Sequence, residues 1–178
     1  MVLDTETTGL SKSDVIIEMG FLVYDSSEKE VSRYNRLWRQ ERKSHPGAQR
    51  CHNIPYQDVL NSPYKPQDEM RILQKTMDEV WASGGVVVAH NAKFDCRLIM
   101  QTAHMAGTVI RFRRPVFCTL EHSRRVSERQ RGKSCKNGSL HAHLGLTLPN
   151  GDAHRAVVDA EITANVFFEA KRRGWWGN

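Results

Sequence analysis

The stretch Leu3-Asp4-Thr5-Glu6-Thr7-Thr8-Gly9-Leu10 stands almost at the start of the chain and decides how the rest is read. With Met1, Val2 and Leu3 leading into it, residues 1–6 read as a β-strand. Side chains alternate along a strand, so Asp4 and Glu6 share one face, separated only by Thr5. Two carboxylates on one face of a central strand are costly to bury without compensation. A hard divalent cation with oxygen ligands supplies that compensation; a solvated acidic turn is the plainer alternative. Gly9 allows the chain to turn sharply and another group to approach its backbone.

The 178 residues suit one domain with a substantial core, and a single α/β domain over residues 1–178 is expected. The composition is that of an ordinary globular chain, and no apolar run is long enough to span a bilayer. The opening residues have no basic region and no long apolar segment, so they do not read as a signal peptide, and a cytoplasmic location is expected. Cys51, Cys96, Cys118 and Cys135 lack the spacing of a zinc knuckle or redox pair and read as separate thiols. His141 and His143 alternate without cysteine partners, which argues against zinc there. A formal charge of +6 favours anionic partners such as nucleic acid.

Outward from the opening strand, residues 15–24 (VIIEMGFLVY) and 31–38 (VSRYNRLW) read as strands joined in an antiparallel hairpin. Residues 40–66 carry four prolines and read as irregular, with one helical turn near Ala48-Gln49-Arg50. Met70, Leu73, Met77, Val80 and Trp81 recur at helical spacing up to Gly84 and Gly85. Residues 86–90 form a short apolar strand, 92–106 a helix, 115–118 a short strand and 119–130 a helix. The basic, turn-rich residues 131–138 read as a loop, and Ser139 as the cap of a short helix carrying Leu140, Leu144 and Leu146. A last helix is expected from 152 or 153 to 173, with Gly174 at its end.

Two further acids stand out by position. Asp95 follows His90-Asn91-Ala92-Lys93-Phe94 just beyond an apolar strand, where α/β proteins tend to place ligands. Asp159 belongs to His154-Arg155-Ala156-Val157-Val158-Asp159-Ala160. DTETTG, HNAKFD and HRAVVDA, in this order, resemble the three motifs of the DEDDh 3′–5′ exonuclease superfamily, which includes the proofreading epsilon subunit of bacterial DNA polymerase III and ribonuclease T. PGAQRCHNI and the leucines of SLHAHLGL extend the resemblance over nearly the whole chain.

The resemblance implies a ribonuclease H-like α/β fold, a central mixed sheet flanked by helices. It implies that Asp4, Glu6, Asp95 and Asp159 hold two divalent cations, Mg2+ or Mn2+, with Asp4 shared between them. It implies that His154 is the general base for hydrolysis of the terminal phosphodiester at a single-stranded 3′ end, releasing 5′-mononucleotides. Thr7, Thr8, Leu10, Asn91 and Phe94 are the residues it places near the terminal nucleotide, with local turn packing as their other reading. The implied partners are the nucleic-acid end itself and a polymerase or other replication or repair protein. The family often has glycine where this chain has Asn53, and asparagine also tolerates a left-handed backbone.

Elementary physics supports the grouping. Unit charges 4 Å apart repel by about 4 kcal/mol at an effective dielectric of about 20, which divalent cations relieve. An imidazole titrates close enough to neutrality to accept a proton from water. His154 and Asp159 are five residues apart, which on a regular helix separates them by about 140°. His154 is therefore expected in the loop or loose turn ahead of the helix that bears Asp159. Among the basic segments (Arg39 to Lys43, Arg111 to Arg114, Arg124 to Lys136), residues 129–136 are the first choice for guiding a phosphate backbone. DNA is the favoured substrate; RNA or oligoribonucleotide trimming and a non-catalytic nucleic-acid-binding module are the rival readings. With only three residues before Asp4, the chain reads either as starting unusually close to its site or as a fragment.

Overall fold

A computed structural model describes residues 1–126, 134–150 and 154–176. Strands β1 (Val2–Thr7), β2 (Ile16–Tyr24) and β3 (Glu30–Leu37) come first. Then follow helices α1 (Pro46–His52), α2 (Tyr56–Leu60) and α3 (Pro66–Ala82), strand β4 (Val88–Ala89) and helix α4 (Ala92–Met105). Strand β5 (Phe117–Cys118), α5 (Thr119–Arg125), α6 (Asn137–His143) and α7 (Ala156–Arg172) complete the order. The sheet order is β3-β2-β1-β4-β5. β1 runs antiparallel to β2 and parallel to β4, so the sheet is mixed as expected, and the strand bearing Asp4 and Glu6 is central.

The sheet is covered on both faces, which is why β2 is buried over its first seven residues. On one face Leu3, Met19 and Phe21 meet Met70, Leu73 and Met77 of α3 and Leu98 and Ile99 of α4. On the other, Val2 and Val88 meet Ala164 of α7, with Tyr24, Phe117, Phe167 and Phe168 around them. The register pairs Glu6 with Glu18 but Thr7 with Ile16, skipping Ile17. This bulge turns Ile16 into the α3–α4 core beside Met19, although simple alternation would put it on the face of Glu18. It falls where β1 ends, the place where a strand must stop pairing and present its side chains.

Several boundaries differ from those expected. α5 ends at Arg125, because Val126 has extended backbone (φ −80, ψ 120); the rest of the expected helix falls largely outside the described residues. α6 begins at Asn137 after an N-cap Lys136, so Ser139 lies inside the helix and caps nothing. α7 begins at Ala156, with extended Arg155 as N-cap, three or four residues later than expected from the sequence. The strand expected over 86–90 shrinks to Val88–Ala89, since only these pair with β1 and β5. Asn53 has the left-handed backbone (φ 51) that the sequence anticipates for it. Trp175 packs back onto α6 and α7, and Trp176 donates its indole N–H to the Phe167 carbonyl.

One contact fixes the two layers against each other. At Gly20 of β2 an added Cβ would lie 2.3 Å from the Val157 nitrogen and 2.4 Å from the Ala156 carbonyl carbon. No side chain fits between this strand and the first turn of α7. Gly20→Ala should therefore lose about 3 kcal/mol of stability or more, read from the midpoint of urea unfolding at constant slope.

Candidate active site

Asp4 and Glu6 leave β1 on the face that α7 covers, and Asp159 comes to them from the first turn of α7. One carboxylate oxygen from each of the three lies within 4.8 Å of the others. Asp95 arrives from the opposite layer, in the first turn of α4, and is 2% exposed. Its oxygen accepts a hydrogen bond of 2.9 Å from Thr5, whose side chain points to the α4 face. Asp95 is thus not in the three-carboxylate group, yet its charge acts on Asp4 more strongly than that of any other neighbour.

The electrostatics are those of a crowded, half-buried acid cluster. Burial first, and then Asp95, Asp159, Glu6 and Glu18, hold the Asp4 carboxyl well above its ordinary range. Glu6 is pushed up to about 8 by burial and by Asp159, Glu18 and Asp95, with Arg155 opposing. Burial raises Asp95 to about 7 against the Thr5 hydrogen bond. Asp159 is raised too, by burial, with His154 pulling it back. Each acid is stabilised in the protonated form unless a cation replaces the proton.

His154 lies ahead of α7 in a left-handed turn (φ 62), and its Nδ1 is 3.9 Å from the Asp159 carboxylate. The five-residue spacing is accommodated as anticipated, by a break in the helix between them. The imidazole is 58% exposed, open to solvent above the cluster.

The turn after β1 is built around Asp14, a side chain that sequence reasoning passed over. Fully buried, it accepts from the Thr8 hydroxyl at 2.8 Å, the Ser11 N–H at 2.7 Å and Arg42 Nε at 3.2 Å. Burial works against its charge, but bonds from Ser11, Thr8 and Arg42 prevail and hold it at about 2. Thr7 donates to the Gly9 carbonyl, and Thr8 is fully buried, so both hydroxyls serve the turn. The turn presents Leu10, which is 78% exposed, to a cavity of about 580 Å³ beside Glu6. Phe94, Thr7, Gly9, and His45, Gly47, Ala48 and Cys51 from the α1 region line it. Asn91 is the exposed, left-handed residue before α4 (φ 62) and does not line this cavity. Two larger or comparable hollows, beside α3 and beneath residues 39–42, lie away from the acids.

Glu18 was likewise missed. It is fully buried on β2 directly opposite Glu6 and accepts from Arg155 Nε at 3.0 Å, Arg155 Nη2 at 2.5 Å and the Ala156 N–H at 3.0 Å. An acid inside the apolar run VIIEMG was a visible signal, but its partner became identifiable only through the register.

A mixed sheet with acids converging from β1, α4 and α7 on one strand end defines a class before any comparison. Residues 1–167 match the Exonuclease (RNase_T) family, and the chain belongs to it. It is 32% identical to a PolC-type DNA polymerase III of Caldanaerobacter subterraneus over 95% of this chain, but only 11% of that protein. It is 28% identical to a DNA polymerase III subunit epsilon-like protein of Rhodobacter capsulatus, over 94% of this chain and 23% of that one. It is 26% identical to ribonuclease T of Klebsiella pneumoniae, covering 99% of this chain and 87% of that enzyme. The chain thus spans about a tenth and about a quarter of the two polymerase-related proteins. Among solved structures, exonuclease X in complex with 5′-overhanging duplex DNA superposes with a TM-score of 0.69 at 27% identity, over 97% of this chain and 92% of that one. The nuclease domain of 3′hExo, a DEDDh family member bound to rAMP, shares the fold with a TM-score of 0.75 at 12% identity, over 98% and 92%. No described helix is long and apolar enough to cross a membrane. The four cysteines are free thiols.

The raised acids give the metal-free protein a definite pH dependence. Glu6 and Asp95 bind protons in the folded chain that the unfolded chain releases near pH 4. Their contribution is therefore full below about pH 4 and is lost as pH rises through about 7 and 8. Asp14 acts in the opposite sense: its contribution is present above about pH 4 and fades as pH falls toward 2. In chelator the midpoint of thermal unfolding should be higher at pH 5 than at pH 8. Adding Mg2+ should raise it far more at pH 8 than at pH 5, as scanning calorimetry can measure.

Proposed function

We propose that this chain is a metal-dependent 3′–5′ exonuclease acting on the end of a single strand. The observation that carries the reading is the convergence of Asp4, Glu6 and Asp159 within 4.8 Å, with His154 beside them. Carboxylate oxygens are the donors that Mg2+ and Mn2+ prefer, and the raised proton affinity of these acids marks a site that lacks a positive charge. Asp4, Glu6 and Asp159 would hold one cation, and Asp4 with Asp95 a second. Bound there, two cations would neutralise the acids and supply Lewis acidity at the scissile phosphate.

The chain's own residues do the rest. His154 takes the proton from the attacking water, and its exposure lets it pass that proton to solvent. Leu10 and Phe94 receive the terminal base in the apolar cavity beside Glu6, since every base offers a face for apolar stacking. The 3′ oxygen of the penultimate nucleotide leaves, and a 5′-mononucleotide is released. Single-stranded DNA is the favoured substrate, in keeping with the polymerase-related names among the relatives. RNA is the second reading, favoured by the likeness to ribonuclease T over most of that enzyme's length. A polymerase or other replication or repair protein is the proposed protein partner. The basic residues 129–136 proposed to guide the strand lie mostly outside the described residues.

Incubation of 5′-labelled DNA and RNA strands of one sequence with Mg2+ or Mn2+ should give stepwise shortening from the 3′ end, faster for DNA. Asp159→Ala should abolish it, and His154→Ala should lower kcat by about 10²- to 10⁴-fold. No shortening by the wild type, or undiminished shortening by Asp159→Ala, would refute the assignment; equal or faster loss of RNA would transfer it to the second reading. Leu10→Ala, in which an exposed side chain is cut back, should raise KM about five- to tenfold with little change in stability, as steady-state kinetics can show.

A further inference from the structure

Two observations on β2 concern the same few residues of α7. The Glu18 carboxylate takes four hydrogen bonds from Arg155 and Ala156, three from the guanidinium, whose Nε reaches both carboxylate oxygens, and one from the backbone N–H that opens the helix. Two residues along the same strand face, Gly20 lets the Ala156–Val157 backbone lie closer than any side chain would permit. One contact pulls the start of α7 down onto the sheet, and the other lets it come down. The element they hold is the junction between His154, with its left-handed backbone, and the turn carrying Asp159.

We propose that Glu18 is a positioning residue for His154 and Asp159, acting through Arg155 and the first turn of α7. The inference rests on the exonuclease reading for its catalytic consequence, but not for its geometric one. A plain structural salt bridge would not need to be here: Glu18 adds a further negative charge beside acids that already repel one another. Replacing Glu18 and Arg155 together with apolar residues would relieve that repulsion, and such an exchange of a whole ion pair is often neutral for stability. What the carboxylate secures is geometry. It accepts both from the side chain that follows His154 and from the first helical N–H, and so fixes the angle at which α7 leaves the turn.

The test uses the full chain with Glu18→Gln, Arg155→Lys and wild type. Circular dichroism and unfolding midpoints first establish which variants are folded. Mn2+ affinity is measured by titration calorimetry without substrate, and kcat and KM on a labelled oligonucleotide. In Glu18→Gln, kcat should fall about tenfold to a hundredfold, KM should change by no more than about threefold, and Mn2+ should bind about tenfold more weakly. Arg155→Lys keeps the charge but gives up the two-pronged bond. It should show the same pattern more mildly, whereas a purely electrostatic role would leave it like wild type. A folded Glu18→Gln with wild-type kcat and Mn2+ affinity overturns the proposal, and if that variant does not fold, a wild-type-like Arg155→Lys overturns it. If the wild type itself cleaves nothing, the exonuclease reading fails on its own, and the Mn2+ titrations alone decide whether Glu18 positions Asp159.

Discussion

Everything in this molecule has to accommodate the repulsion among carboxylates held at the end of β1. Asp4, Glu6 and Asp159 share a space less than 5 Å across, with Asp95 and Glu18 close enough to raise their proton affinities further. In water such a group would spread apart. Here it cannot, because each member is attached to an element that the hydrophobic core fixes independently. Leu3 and Val2 anchor β1 to the two layers, Leu98 and Ile99 anchor α4, and Ala164 anchors α7. Apolar burial on both faces of one strand holds together charges that would otherwise leave, and the tension is relieved by protons or by cations.

The two cradles that flank the cluster work by different means. The turn after β1 is held by a charge kept ionised: Asp14 collects donors until its charge is favoured, and thereby orients Thr8, Gly9 and Leu10. The start of α7 is held by Glu18 and by the absence of a side chain at Gly20. Both cradles use a fully buried acid with strong donors. The donors around Asp14 keep it charged and give geometry, whereas Asp4 and Glu6, held above their ordinary range, stay in need of a cation.

Much of this was legible from the sequence, for identifiable reasons. Alternation placed Asp4 and Glu6 on one face, and helical spacing gave the apolar faces of α3 and α4. The angle between positions five apart predicted a break between His154 and Asp159, which the left-handed backbone at His154 supplies. Relations that depend on pairing register could not be read. Glu18 is significant because it lies opposite Glu6, and only the ladder reveals that. Ile16 changes face because a bulge skips Ile17. The beginning of α7 was placed too early because Asp152 and Ala153 suit a helix locally, while Arg155 is drawn into extended backbone by a carboxylate far away in sequence. The role of Thr8 depended on Asp14, whose burial nothing in its polar surroundings announced.

The origin of the acids also sets when the site comes into existence. β1, α4 and α7 contribute one part each, from near the start, the middle and near the end of the chain, and no local fragment contains the set. Asp95 even reaches the strand end from the opposite layer, held to it through Thr5. The site therefore requires both layers to be packed on the sheet at once, so loosening of either one separates the acids. Because the acids repel, such loosening is favoured by their charge and opposed by the core. A cation bound between β1 and α7 would then act as a cross-link between the sheet and the layer packed on it. On this view the cluster is an electrostatic load on the metal-free fold and a source of cohesion once that load is neutralised. That reversal follows from placing the acids on three separate elements, since carboxylates on one helix would repel without prying any layers apart.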